Sequence, residues 1–450
     1  MDRTIEDFVR GLGLDAYLVG GAVRDELLGL ESKDADFVVP GVDYDGLRSA
    51  LVPHGRVEDL EVAGRRVGAR LYPRDAELRR LAPAGIEFAP PRAERSTGPG
   101  RHDFEIVADP TLSIEDDMAR RDFTVNAMAR RLETDELVDP FGGAEDLKGG
   151  VLRTVRPRSF AEDPLRLVRG LRLVSQLGLE PTDETIEQMR EEAASVRLVS
   201  GERVGGGLRS DAMGELSKLL LGSRPGKALR LARDTGVLTA LLPEFEQAIA
   251  FAQDSERQHL TLDEHIFAVV QAAADAGAPL AVRLAALFHD LGKPGADGNH
   301  AERSAKLTAA ALGRLRYPNR LRNHVTYIVR AHAFPLEGVD ELFARRFLRE
   351  HGDELAFDLV AQKEADLRGK QVPARELEAV AQLRALLEQE RAQPHRIADL
   401  AVDGSDLIEL GYREGPDLGR ELEALLDAVV ENPSLNTPEQ LLDQARKRLS

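Results

Sequence analysis

The chain has 450 residues, 42% of them hydrophobic and 31% charged, a formal net charge of -18, and neither cysteine nor tryptophan. That length is too great for one hydrophobic core and predicts about three domains. Without cysteine there are no disulfides, thiolate metal sites or cysteine nucleophiles, and the acidic balance excludes a generally basic polyanion binder, so a nucleic-acid partner must meet a local basic patch.

No apolar run reaches the ~18 residues that cross a bilayer. The first residues are acidic and polar rather than a basic segment with an apolar core, so a cytoplasmic protein with no membrane partner is expected.

From Ala16 to Val39 the pattern is strand, glycine turn, helix, polar turn, strand. Tyr17-Leu18-Val19 is short and apolar, Gly20-Gly21 interrupts it, Val23 to Leu28 has helical spacing, and Phe37-Val38-Val39 supplies a second strand. Asp34-Ala35-Asp36 leads into that strand, and alternate strand residues share a side, so both carboxylates can reach one pair of hard divalent cations such as magnesium. Paired glycines allow close approach of a phosphate, the following helix offers unpaired N–H groups, and Arg24 can bond a triphosphate.

Residues 82 to 101 are rich in Pro, Gly and Arg and read as a mobile loop or lid. Strand-like segments at Glu105-Ile106-Val107 and Glu136-Leu137-Val138 complete a mixed α/β domain over residues 1–150. After Val155 the periodicity is helical, with Leu167, Leu171 and Val174 forming an apolar stripe on a helix expected over 158 to 180. Glycine-rich breaks at 201–207 and 292–298, and a further break around Val402 to Ser405, divide the helical remainder, giving sections at 151–250, 251–395 and 396–450. The local basic patch falls here, at Arg153, Arg156, Arg158, Arg166, Arg169 and Arg172, opposed between positions 153 and 172 only by Glu162 and Asp163.

Glycine turn, helix start, arginine and D-x-D at this spacing resemble the nucleotidyltransferase superfamily that includes DNA polymerase β. Arg120-Arg121-Asp122-Phe123-Thr124-Val125-Asn126-Ala127 and Asp139-Pro140-Phe141-Gly142-Gly143 narrow the resemblance to class II CCA-adding enzymes and bacterial poly(A) polymerases. Glu162-Asp163-Pro164-Leu165-Arg166-Leu167-Val168-Arg169 is similar to that family's nucleotide-selecting motif. Asp163 and Arg166 are expected as i, i+3 neighbours on a helix surface, a carboxylate beside a guanidinium that together read the edge of C or A.

The resemblance implies a polymerase β-like α/β head at 1–150 and a helical neck at 151–250. Asp34 and Asp36 would hold catalytic Mg2+, while Gly20, Gly21, Arg24, Arg121, Asp163, Arg166, Arg169 and Arg172 would bind the nucleotide. It implies CCA addition to tRNA from CTP and ATP, with poly(A), CC-only or A-only addition as alternatives. Arg92-Ala93-Glu94-Arg95-Ser96 resembles the family's flexible loop, through which these enzymes change from CTP to ATP, and favours full CCA addition.

A second constellation lies in the helical half. His265, His289-Asp290 before Leu291-Gly292-Lys293, and Asp366 follow the H…HD…D order of the HD superfamily of metal-dependent phosphohydrolases. The resemblance implies an HD-type body at 251–395 and a C-terminal tRNA-contacting tail at 396–450. Mixed imidazole and carboxylate donors suit Mn2+ or Ni2+, and equally iron or zinc, better than magnesium alone. His300 and His332 match places where some HD proteins hold a second metal, and His259 is a further companion. A reading from another class makes the protein chiefly an HD phosphohydrolase with a nucleotide-sensing head.

Overall fold

The computed structural model describes residues 2–30, 35–62, 65–96, 104–206, 213–253, 259–296, 298–370 and 372–449. Two compact units emerge, Met1–Val204 with Gly214–Pro243, and Gly205–Met213 with Glu244–Ser450.

The first unit is built on strands β1 (Tyr17–Val19), β2 (Asp36–Val38), β3 (Gly55–Val62), β4 (Arg65–Pro73), β5 (Ile86–Ala89), β6 (Arg92–Ser96), β7 (Phe104–Ala108), β8 (Ala129–Arg131) and β9 (Leu137–Val138). Seven of these form a mixed sheet in the order β3-β4-β5-β2-β1-β8-β9, parallel only between β2 and β5. Leu18, Phe37 and Phe88 on the central strands are buried, and Val19, Val38 and Ala129 pack with Ile114 and Met118 into one cluster. The sheet therefore hides its centre and leaves the ends of β1 and β2 to carry polar groups.

The stretch expected as a loop over 82–101 instead contains β5 and β6. Pro90-Pro91 cannot donate to a ladder and separates the two, after which β6 pairs antiparallel with β7 in a hairpin of its own. Residues 97–103 lie outside the described residues.

The expected 158–180 helix is two helices, Ser159–Glu162 and Leu165–Leu177, because Asp163 is extended ahead of Pro164. Gly178 ends the second at φ 72 in the left-handed region. The two-residue strands β10 (Val151–Leu152) and β11 (Glu180–Pro181) pair in parallel around it, a small departure from an all-helical segment. Gly170 brings the longer helix against Phe123, since a Cβ there would lie 2.8 Å from the Phe123 ring. Phe123 is itself fully buried, so the segment 120–127 is clamped between the sheet and this helix.

The second unit is helical throughout its described residues beyond Glu244. Helices Leu262–Asp275, Leu280–Phe288, His300–Arg314, Asn319–Ala331 and Glu341–Arg368 form one bundle, the last kinked at Gly352 with φ 72. A separate core of Val402, Leu407, Leu425, Val429, Leu441 and Ala445 holds the final helices together. No described helix is long and apolar enough to cross a membrane.

Candidate functional site

Gly20 stands between β1 and the helix Gly21–Leu27 with φ 71 and ψ -128, a conformation that an L side chain resists. A Cβ at Gly20 would also run into the Arg121 guanidinium, so this glycine lets Arg121 lie directly over the turn. At Gly21 a Cβ would meet only the end of Arg24, 3.5 Å away. Arg24 Nη1 donates to Asn126 Oδ1 at 2.6 Å, and its Nη2 pairs with Asp25 at 2.6 Å. Arg121 pairs with buried Asp117 at 3.1 Å, and Arg120 holds the other oxygen of that carboxylate at 2.9 Å. Burial and the nearby Arg120 pull the Arg92 guanidinium down to about 10. Arg24 and Arg121 thus meet at the glycine turn, with Arg120 and Arg92 close to the Asp117 carboxylate that holds Arg121.

Asp36 is exposed at the start of β2, whose antiparallel register with β1 places it at the Val19–Gly20 end of that strand. Its partner in the sequence motif, Asp34, lies outside the described residues.

The neck residues differ from the expected surface pair. Asp163 accepts two hydrogen bonds from Arg203, at 2.8 and 3.2 Å, while Arg166 is buried and donates to Ser159, Glu162 and the Arg120 carbonyl. The reason is local: Asp163 precedes the helix that Arg166 belongs to, so i, i+3 spacing does not put them on one helical face. The basic patch is likewise not opposed by Glu162 and Asp163 alone. Arg153 pairs with Asp146 at 3.0 Å, Arg169 with Asp122 at 2.7 Å, and Arg172 with Glu215 at 3.3 Å, all acids from outside the 153–172 window.

Sequence reasoning gave no role to Asp122, Asn126, Arg203 or Glu215. Asp122 Oδ1 accepts from Asn126 Nδ2 at 3.0 Å, Oδ2 accepts from Arg169, and Asn126 in turn holds Arg24. Burial pushes the Asp122 carboxyl up, but Arg169, Asn126 and Arg166 outweigh it and hold the group well below the ordinary carboxylate range. The only signal for them was their place inside the 120–127 motif and near the glycine-rich break, since partners so distant in sequence leave no periodicity.

In the second unit, His265, His289, Asp290 and Asp366 converge from three helices. His265 Nε2 lies 3.3 Å from Asp290 Oδ2 and 3.2 Å from Asp366 Oδ1. His289 Nε2 lies 3.2 and 3.4 Å from the same two oxygens and 3.3 Å from His265 Nε2. Five edges of a tetrahedron are therefore nearly equal, and a regular tetrahedron of that edge has its centre about 2.0 Å from each corner, a transition-metal bond length to nitrogen and oxygen. Asp366 Oδ1 is buried without a hydrogen-bond partner, a costly state for a carboxylate that a cation would relieve, whereas Asp290 Oδ2 is already met by the Lys293 ammonium. Burial alone would lower His289, yet Asp290 and Asp366 raise it to about 9.

The other oxygen of Asp290 faces a second triad, with His300 Nε2 at 3.3 Å and His332 Nε2 at 3.6 Å. Asp290 can thus bridge two cations. Lys293 and Lys370 close the rim, pairing with Asp290 at 2.5 Å and Asp366 at 2.6 Å. His259 is exposed and belongs to neither group.

Residues 16–153 match the family model described as the poly A polymerase head domain, 178–249 the "Probable RNA and SrmB- binding site of polymerase A", and 303–445 a model for tRNA nucleotidyltransferase domain 2. The multifunctional CCA protein of Cupriavidus necator is 34% identical over 381 residues, 79% of this chain and 86% of that one. That of Neisseria gonorrhoeae is 38% identical over 284 residues, and the match spans 62% of each chain. The crystal structure of the Bacillus stearothermophilus CCA-adding enzyme in complex with CTP shares the fold, with a TM-score of 0.69 at 24% identity, covering 99% of this chain and 96% of that one. A Thermotoga maritima CCA-adding enzyme complexed with tRNA gives a TM-score of 0.58 at 20% identity over 100% and 94% of the two chains.

Proposed function

Because the chain belongs to the family of multifunctional CCA proteins, we propose that it adds CCA to the 3′ end of tRNA from CTP and ATP without a nucleic-acid template. The observation that carries this reading is the continuous polar chain from Arg24 at the glycine turn, through Asn126 and Asp122, to Arg169 on the neck helix. It couples a phosphate-binding turn to side chains able to read a base.

Asp34 and Asp36 are the residues that would hold magnesium, and the exposed Asp36 carboxylate beside the glycine turn suits that oxygen-loving ion. When bound, magnesium supplies Lewis-acid activation of the RNA 3′ hydroxyl and neutralises charge on the triphosphate. Gly20 and Gly21 admit the phosphates, with Arg24 and Arg121 giving charge-assisted hydrogen bonds. The 3′ hydroxyl attacks the α-phosphorus and pyrophosphate leaves. Asp163, Arg166, Arg169 and Arg172 are the base-selecting set, and the acids that hold them fix the guanidinium planes before a nucleotide enters.

His265, His289, Asp290 and Asp366 would hold a transition metal such as Mn2+ or Ni2+ in an HD-type body, with His300 and His332 completing a second position around Asp290. A cation there supplies an activated water for hydrolysis of a phosphomonoester or 2′,3′-cyclic phosphate. Lys293 and Lys370 sit where an anionic substrate would need positive charge. Residues 396–449 are assigned to contact with the tRNA body.

The test is incubation with tRNA lacking its 3′ end, with CTP and ATP supplied separately and together, followed by sequencing of the termini. Addition that stops after CCA is expected, and Asp36→Ala abolishes incorporation of both nucleotides. The match of the head to a poly A polymerase model favours one rival, which a long A tail would select.

A further inference from the structure

The second unit holds a cavity of about 530 Å³ between the end of helix Asn319–Ala331, the loop after it and the first half of helix Glu341–Arg368. Its walls include Phe334, Phe343, Phe347, Arg346, Glu350 and His351. Three of the chain's 15 phenylalanines thus meet at one opening. Only Phe347 is buried; Phe334 and Phe343 stay partly exposed.

The rings pack around Phe347 and leave Phe334 and Phe343 partly exposed at the cavity. Phe343 and Phe347 lie nearly parallel, 16° apart with centroids 5.9 Å apart, and Phe334 leans on Phe347 at 5.0 Å. His351 stands edge-on to Phe347 at 4.3 Å. Lys363 Nζ lies 5.2 Å from the Phe334 ring centroid, and Arg346 reaches Glu431 through an exposed pair that solvent screens. Tyr327 bonds His351 Nδ1 at 2.8 Å, which leaves Nε2 for another partner, and burial pushes the imidazole below its ordinary value.

Flat aromatic faces ask for a flat π-system, and a volume in the range of small-molecule sites is ample for one. Arg346 in the cavity wall asks for an anionic group attached to it. Glu350 and the free Nε2 of His351 offer hydrogen-bonding partners for its polar edge. An acyl chain or a peptide side chain would leave the polar groups unanswered.

We propose that this cavity is a nucleotide-binding site, in which a base stacks on the partly exposed ring of Phe343 and its ribose phosphate meets Arg346. It is separate from the seat at Gly20-Gly21 and does not depend on the polymerase reading. The base can come from a free mononucleotide or from an unstacked terminal nucleotide of RNA, since both present the same ring and phosphate.

The test uses 2-aminopurine riboside 3′-monophosphate and a short single-stranded RNA ending in the same nucleotide, each titrated into the full chain in EDTA. With no tryptophan in the chain, the probe's fluorescence is read against little background. Saturable binding is expected, weakened about tenfold by Phe343→Leu and by Arg346→Gln. Arg346 is exposed, so its variant tests the site even if the phenylalanine change disturbs folding. Tighter binding of the RNA than of the mononucleotide identifies an RNA end as the source, and equal binding identifies the free nucleotide. No saturation by either probe, or binding indifferent to both cavity variants, overturns the proposal.

Discussion

Arg169 Nε donates to Asp122 Oδ2 at 2.7 Å, joining the neck helix to the segment that also orients Arg24. The groups facing Asp122 are Arg169 and Arg166 from the neck and Asn126 from its own segment, with Glu215 competing for Arg169 at 3.7 Å. An acid this enclosed is stabilised only while it is charged.

Asp122→Asn is therefore expected to leave Arg169 with Glu215 alone, costing about 3 kcal/mol of stability, as for other broken buried pairs. The folded carboxyl lies below its unfolded value of 3.8, so its contribution is full above that value and lost as pH falls through the folded one. In denaturant titrations the gap between the natural chain and the variant should stay constant from about pH 8 to pH 5 and close in stronger acid. A gap that closes on the alkaline side would refute the assignment. Nucleotide addition should fall as well, with discrimination between CTP and UTP lost more than overall rate.

Gly20→Ala tests the turn. The φ of 71 costs a side chain about 1–2 kcal/mol, and the added methyl displaces Arg121. Addition of C and of A should both drop by about tenfold to a hundredfold, while Gly13→Ala, where φ is 69 but the space is open, should cost stability alone. Equal activity losses in the two variants would mean that strain, not Arg121, is responsible.

Strands β1, β2 and β9 and the glycine turn were legible in the sequence because each rests on neighbours within a few residues, whereas β3, β4 and β8 were not read and β5 was taken as part of a loop. Tyr17–Val19 and Asp36–Val38 match the apolar runs almost to the residue. The neck pair was misread for the opposite reason: the partners of Asp163, Arg169 and Arg172 are Arg203, Asp122 and Glu215, about 40 or more residues away in the chain. The histidines fall between these cases. Their types and order pointed to a cluster of metal-ligating groups, but only the helix packing sorted His300 and His332 to one side of Asp290 and left His259 out.

The tetrahedral cluster predicts its own cation dependence. In the full chain, added Mn2+ or Ni2+ at about a hundred times its dissociation constant should stabilise the second unit by about 2.7 kcal/mol, seen as a raised unfolding midpoint. His289→Gln should abolish both the shift and the bound metal measured by elemental analysis. A shift that survives in that variant would place the ion elsewhere.

Gly292 sets the distance between the two halves of this site. It follows His289-Asp290 by two residues, its N–H donates to Ser304 Oγ at 2.9 Å, and a Cβ on it would lie 2.5 Å from the His300 carbonyl and from the Ser304 nitrogen. Backbone on both sides cannot swing away as a flexible side chain would. Gly292→Ala must then push the start of helix His300–Arg314 outward, carrying His300 from Asp290 while leaving His265, His289 and Asp366 in place. We expect about 1–3 kcal/mol of destabilisation from the overpacking and loss of a second bound cation with retention of the first. Metal stoichiometry falling from two to one supports the bridging role of Asp290, whereas loss of both ions, or of neither, would show that Gly292 does not control the His300 side of the site.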